Sequence, residues 1–305
     1  MAPIAHASDG GGSIRIPASC NGLVGLKPSR NRVTSSVEQM TAASTSGVVC
    51  RTVADAAATL DVMAELDTGA WNVAPPPARS FSAEPGEAPG RLRVVVTSSN
   101  ALGVHVAPEC VAAVEATATL LEELGHQVEL REPRWPDPAE FLTGFLTVWA
   151  TIAASIDGVD PERMEPHNRA NWDQAMATPS IDFSRAEMML QRASRDFTAQ
   201  FGSEIDLLVT PTMAVEPPSV GSIWAGMDAD PGAPLVNATP MAAYTALFNV
   251  TGQPALSLPL HTAASGLPVG VQLAAAPWQE AVLLQVGAQL EAARPWADRW
   301  PALAG

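Results

Sequence analysis

Between residues 92 and 130 the chain reads "LRVVVT", later "PECVAAVEATATLLEELG", then "QVEL". The first run is short and β-branched, which suits a buried strand. The second places Val111, Val114, Ala118 and Leu121 on one helical face, with Pro108 at its start and Gly125 at its end. The third run is another short strand. Strand, helix and strand in that order require a crossover, and crossovers between parallel strands are right-handed almost without exception. The chain is thereby committed to the α/β class.

The remaining sequence extends that pattern. "NGLVGLKPS" (21–29) predicts a buried strand closed by Pro28, and 51–66 a helix with a start like a capping box at Thr52 and Asp55. Helices are expected at 139–155 and 184–201, the second opening with Ser184 and Glu187 as a capping box and stopping at Gly202. "IDLLVTPT" (205–212) reads as a buried strand. A helix around 240–249 leads to strands at 254–260 and 268–276, joined by a turn at Ser265–Gly266, and a last helix runs from about 277 to 293. Proline- and glycine-rich connections fill 69–91 and 216–238. Residues 156–183 are read as a loop; with 216–238 it is expected to shape a pocket, and Trp172 is a candidate liner, though such a tryptophan more often packs in a core. The alternation implies a single α/β domain over 1–305, a mixed central sheet with helices on both faces.

Composition narrows the function classes. Of 305 residues, 47% are apolar, enough for a sizeable core. Seventeen basic against 32 acidic residues give a net charge of −15, which disfavours nucleic acid or an anionic membrane as partner. No apolar run approaches the roughly 18 residues of a membrane helix. Cys20, Cys50 and Cys110 form no CxxC pair, which fits a reducing, cytoplasmic setting. His6, His105, His126, His167 and His261 show no HxxxH or HExxH spacing, so neither a metal nor another cofactor is expected. The sequence leaves a homo-oligomer open.

The chemistry is concentrated in "SDGGGSIRIPAS" (8–19). Gly10, Gly11 and Gly12 can adopt positive φ and let backbone N–H groups converge on an anion. A phosphate site would add a GxxxxGK[ST] pattern, and no lysine follows these glycines. The alternative anion is the oxyanion of a carbonyl under attack, for which a nucleophile must sit beside the donors, as Ser13 does. Asp9 and Arg15 flank the loop, and an ion pair between them would clamp it. On the local pattern alone, a glycine-rich turn with an ordinary serine explains the stretch equally well.

"SDGGGSIRIPASCNGLVGLKPS" closely resembles the signature of the amidase signature family, D-x-G-G-S-[IV]-R-x-P continuing to G-L-K-P-[ST]. The resemblance continues in the family's order through "GVVCRTVADAA", "DLLVTPT", "ALFNVTGQPALSLPL" and "GLPVGVQL". It implies hydrolysis of small-molecule amides by a Ser–cis-Ser–Lys triad, with Ser13 as nucleophile and the amides of Gly10, Gly11, Gly12 and Ser13 as oxyanion hole. In the family the lysine and the cis-serine lie upstream of this loop, so the resemblance also implies a member whose N-terminal part is missing. Lys27, the sole lysine, matches the structural lysine of G-L-K-P and is not assigned as base. Asn31 stands where many members have glycine; asparagine tolerates the left-handed region, so the turn survives. "STSGV" (44–48) replaces the commoner D-[ST]-x-G-P. The style of "IAHASDGGGSIRIPAS" is nearest to hydrolases of 6-aminohexanoate cyclic dimer and related bacterial amidases. Two other readings are a tRNA-dependent amidotransferase A subunit and a non-catalytic remnant of the fold.

Overall fold

The fold is known from a computed structural model that describes residues 2–34, 43–65 and 67–300. Its strands are β1 (Ile4–Asp9), β2 (Val24–Lys27), β3 (Thr45–Cys50), β4 (Arg93–Val96), β5 (Gln127–Leu130), β6 (Leu207–Pro211), β7 (Ala255–Thr262) and β8 (Pro268–Ala274). They form one sheet in the order β1-β3-β2-β7-β8-β6-β4-β5. β4 runs parallel to β5 and β6, as the crossover at 92–130 requires, and the other pairings are antiparallel. The helices are α1 (Arg15–Asn21), α2 (Val53–Met63), α3 (Pro108–Glu123), α4 (Pro138–Ala154), α5 (Pro166–Ala177), α6 (Ser180–Thr198), α7 (Ala233–Ala242), α8 (Ala246–Val250) and α9 (Glu280–Ala293).

Period-two alternation sorts the strand residues into two cores. Val94, Val96, Leu207 and Val209 pack on one face, under Leu60 of α2, Leu121 of α3 and Leu290 of α9. Val95 and Leu208 pack on the other, under Phe145 of α4, Leu190 of α6 and Phe248 of α8. The expected mixed sheet with helices on both faces is what forms. On β8 the same alternation sends Val271 and Leu273 into the first core and turns Gln272 toward the second face, beside α1. α1 lies so close to β2 that a Cβ on Gly25 would come within 2.6 Å of Ala18 Cβ. Only glycine permits that approach.

Local signals explain most boundaries. The Thr52 side chain accepts the Asp55 N–H at the start of α2. Asn31 takes φ 60°. Other expectations need correction. α6 starts at Ser180, with Asp182 and Phe183 N–H donating to the Pro179 carbonyl, so Ser184 and Glu187 lie inside the helix rather than capping it; it ends at Thr198, before Gly202. The stretch 156–183 is not a loop throughout but contains α5. The helix expected around 240–249 is two helices, α7 beginning at Ala233 and α8 ending at Val250. β3 covers "STSGV" from Thr45 onward, and β1 and α1 carried no clear periodic signal.

Candidate active site

The glycine–serine loop joins β1 to α1, and Asp9, the last residue of β1, organises it. Its carboxylate accepts the Gly12 N–H at 2.6 Å and the Ile14 N–H at 3.2 Å. It also receives Arg15 Nε and Nη2, each at 3.0 Å, in a bidentate pair with both side chains fully buried. Burial alone would raise the Asp9 carboxyl, but the Arg15 charge and hydrogen bond, with help from Lys27 and Asn249, bring it down to about 2. Asp9 therefore stands as a carboxylate across the pH range of life.

Arg15 has no spare valence. Its Nη1 donates to the Thr245 carbonyl at 2.9 Å and to Gln272 Oε1 at 2.8 Å, and its Nη2 to Asn249 Oδ1 at 2.6 Å. Asn249 Nδ2 returns to the Asp9 carbonyl at 2.7 Å, to Asp9 Oδ1 at 2.9 Å and to the Ala43 carbonyl at 3.2 Å. Gln272 is oriented from behind, its Nε2 donating to Thr210 Oγ1 at 3.1 Å. Sequence reasoning missed Thr245, Asn249 and Gln272. Two signals were available: Asn249 and Gln272 lie in the stretches "ALFNVTGQPALSLPL" and "GLPVGVQL" that carry the family resemblance, and Thr245 and Asn249 are four residues apart and so on one helical face.

These bonds fix peptide orientations. A trans peptide is planar, with its C=O and N–H pointing in opposite directions. The Gly12 carbonyl accepts the Ile16 N–H at 2.8 Å in the first turn of α1, so the Ser13 N–H points away from the helix. Ser13 itself is exposed. Among the described residues no protein acceptor takes the N–H of Gly10, Gly11 or Ser13. Gly12 differs from the expected arrangement: its N–H is engaged by Asp9. It is also the one glycine of the three with positive φ, 136°.

Lys27 sits in β2, buried, with Nζ donating to the Pro28 carbonyl at 2.9 Å. Burial and the Arg15 charge push its ammonium down to about 7 against the pull of Asp9. Trp172 on α5 is half-buried, 5.6 Å from the Arg169 guanidinium, and the structure does not bring it to the loop. A cavity of about 520 Å³ lies between α4, α6 and Trp278; Phe145, one of its lining residues, stands 3.5 Å from where a Gly11 Cβ would be. A smaller, mainly apolar pocket of about 290 Å³ opens between α4 and α5, lined by Trp149, Ile152, Ile156, Met164, Asn168 and Asn171 among others. Among the described residues no cluster of His, Cys, Asp and Glu could hold a metal ion, and no helix is long and apolar enough to cross a membrane.

A buried ion pair thus holds an exposed serine among amides that no described protein acceptor engages. The chain belongs to the amidase signature family: the family model described as Amidase matches residues 1–284. It is 34% identical over 322 residues to the 6-aminohexanoate-cyclic-dimer hydrolase of Pseudomonas sp. (strain NK87), covering 99% of this chain and 65% of that relative. A solved structure of 6-aminohexanoate cyclic dimer hydrolase complexed with substrate superposes with a TM-score of 0.90 at 33% identity, over 100% of this chain and 67% of that one. A bacterial aryl acylamidase of the same family shares the fold, with a TM-score of 0.78 at 22% identity. The chain thus spans just under two thirds of the length of the curated relative.

Proposed function

We propose that the protein hydrolyses amide bonds of small molecules through an acyl-enzyme on Ser13. The observation that carries this reading is the exposed Ser13 beside the uncommitted amides of Gly10 and Gly11, on a loop locked by Asp9 and Arg15. Ser13 Oγ attacks the amide carbonyl, and the negative charge that develops on its oxygen is met by the N–H groups of Gly10, Gly11 and Ser13. The C–N bond breaks, the amine leaves with a proton, and an ester on Ser13 remains. Water then attacks that ester, releasing the acid and returning the hydroxyl.

A serine hydroxyl needs a base. Lys27 does not fit that role, since its Nζ is buried in the sheet and bonded to the Pro28 carbonyl. The family resemblance assigns the base to a lysine acting through a cis-serine. A thiol nucleophile is disfavoured: burial pushes Cys50 and Cys110 up to about 12 and raises Cys20 as well. Three free cysteines and a net charge of −15 support a cytoplasmic enzyme of small substrates over a nucleic-acid partner.

Similarity to the Pseudomonas 6-aminohexanoate-cyclic-dimer hydrolase supports an uncharged amide such as that dimer as the kind of substrate. The test is hydrolysis of that dimer and of a small aryl amide by the full-length protein and by Ser13→Ala. Loss of at least about 10⁴-fold in kcat is expected, because covalent catalysis disappears. Near-normal turnover by Ser13→Ala would defeat the reading, and an inert wild-type protein would favour a non-catalytic relative.

A further inference from the structure

We propose that Thr245 is a positioning residue for this reaction: its hydroxyl locks the Gly11–Gly12 peptide, the frame from which the Gly11 and Ser13 amides are aimed. The inference rests on the reading of Ser13 as nucleophile. Thr245 is fully buried, and its Oγ1 donates to the Gly11 carbonyl at 2.6 Å. The other end of the same peptide, the Gly12 N–H, donates to Asp9 Oδ1 at 2.6 Å. A peptide plane held at its oxygen and at its nitrogen cannot rotate.

That lock matters because both neighbouring peptides hinge on glycines. The Gly11 N–H belongs to the preceding plane and the Ser13 N–H to the following one, and glycine offers wide freedom in φ and ψ at each hinge. Without the Thr245 bond, the Gly11 carbonyl would be an unpaired acceptor in a tight space, and the central plane would be held at one end alone. The space is tight on the Thr245 side too: a Cβ at Gly12 would fall 2.4 Å from Thr245 Oγ1.

Thr245 is in turn fixed by the groups that fix the loop. Its carbonyl accepts Arg15 Nη1 at 2.9 Å, and Asn249, one turn on, grips Asp9 at its carbonyl and its carboxylate. One face of the segment 245–249 thus holds the loop across more than two hundred residues of sequence. Preorganised donors are worth more than donors that must reorient during the reaction.

The test compares Thr245→Val, which keeps shape and removes the hydroxyl, with Thr245→Ser, which keeps the hydroxyl, in the full-length protein with a small aryl amide. Thr245→Val is expected to lower kcat about 10- to 100-fold, less than the ~10²–10³-fold of losing a donor outright, with KM within about threefold. Thr245→Ser should return kcat to within about threefold of wild type, which a packing role for the methyl would not allow. If Thr245→Val does not fold, Thr245→Cys replaces it; a thiol is a weak donor, and a kcat at least about fivefold below wild type is expected. Wild-type kcat in the Val or Cys variant overturns the inference, as does equal loss in the Ser variant or a loss confined to KM. An active Ser13→Ala defeats the nucleophile reading instead; an inert Ser13→Ala beside a fully active Thr245→Val defeats this inference alone.

Discussion

Asp9→Asn should destabilise the protein by an amount the loop geometry sets. The substitution keeps the shape of Asp9 and removes its charge, leaving Arg15 fully buried without its bidentate partner. Breaking a buried pair from one side costs about 3–5 kcal/mol. The depression of Asp9 from 3.8 to about 2 gives an independent figure of ~2.5 kcal/mol for the charged form, and full burial leaves no solvent to screen it. For a chain of 305 residues, 1 kcal/mol moves Tm by roughly 1.5 °C, so a fall of about 4–8 °C is expected at pH 7. The pH dependence has a definite sign. The folded-state value lies below the unfolded one, so the Asp9 contribution is complete above about pH 4 and is lost as pH falls through about 2. Thermal unfolding followed by circular dichroism from pH 3 to pH 8 would show a gap between wild type and Asp9→Asn that is flat above pH 5 and narrows below pH 4. A Tm within 1 °C of wild type at pH 7, the order of shift seen for surface changes, would refute the claim that this ion pair holds the loop.

Gly12→Ala should destabilise the loop and abolish activity, because φ 136° is strained for alanine and its Cβ would meet Thr245 Oγ1 at 2.4 Å and Ile16 Cδ1 at 2.6 Å. Gly11→Ala meets only Phe145 Cζ at 3.5 Å and should fold normally; a reversed order of Tm values would contradict the geometry. Lys27→Met should flatten the alkaline stability profile. With the folded Lys27 ammonium at about 7 and the unfolded one at 10.5, wild-type stability gains from this group as pH rises from 7 toward 10, and the gain should vanish in the variant. Parallel profiles for the two proteins from pH 7 to 10 would show that Lys27 keeps its charge.

Much of the architecture is written in local patterns. β4, α3 and β5 combine β-branched runs with helical spacing between clean stops, and their parallel pairing follows from the crossover alone. The glycine run with Ser13, Asp9 and Arg15 is legible because three glycines in a row are costly unless a backbone conformation needs them. β1 was illegible: "IAHASD" has one β-branched residue, and its exposed positions outnumber its buried ones. α5 shows no apolar stripe, since "PHNRANWDQAMA" is polar around most of its circumference and buries no residue. Thr245, Asn249 and Gln272 were missed for a different reason. Their role exists only when α8 and β8 meet the loop, and no local pattern records a partner more than two hundred residues away.

The most direct test of the account is to trap a covalent adduct on the nucleophile. The full-length protein, incubated with a fluorophosphonate or a slowly released aryl ester, would be digested and its modified peptide sequenced by mass spectrometry. The account expects a single adduct on Ser13, in the peptide containing "SDGGGSIR", and none in Ser13→Ala. Amide hydrolysis proceeding while Ser13 stays unmodified, or an adduct on any other residue, would contradict it.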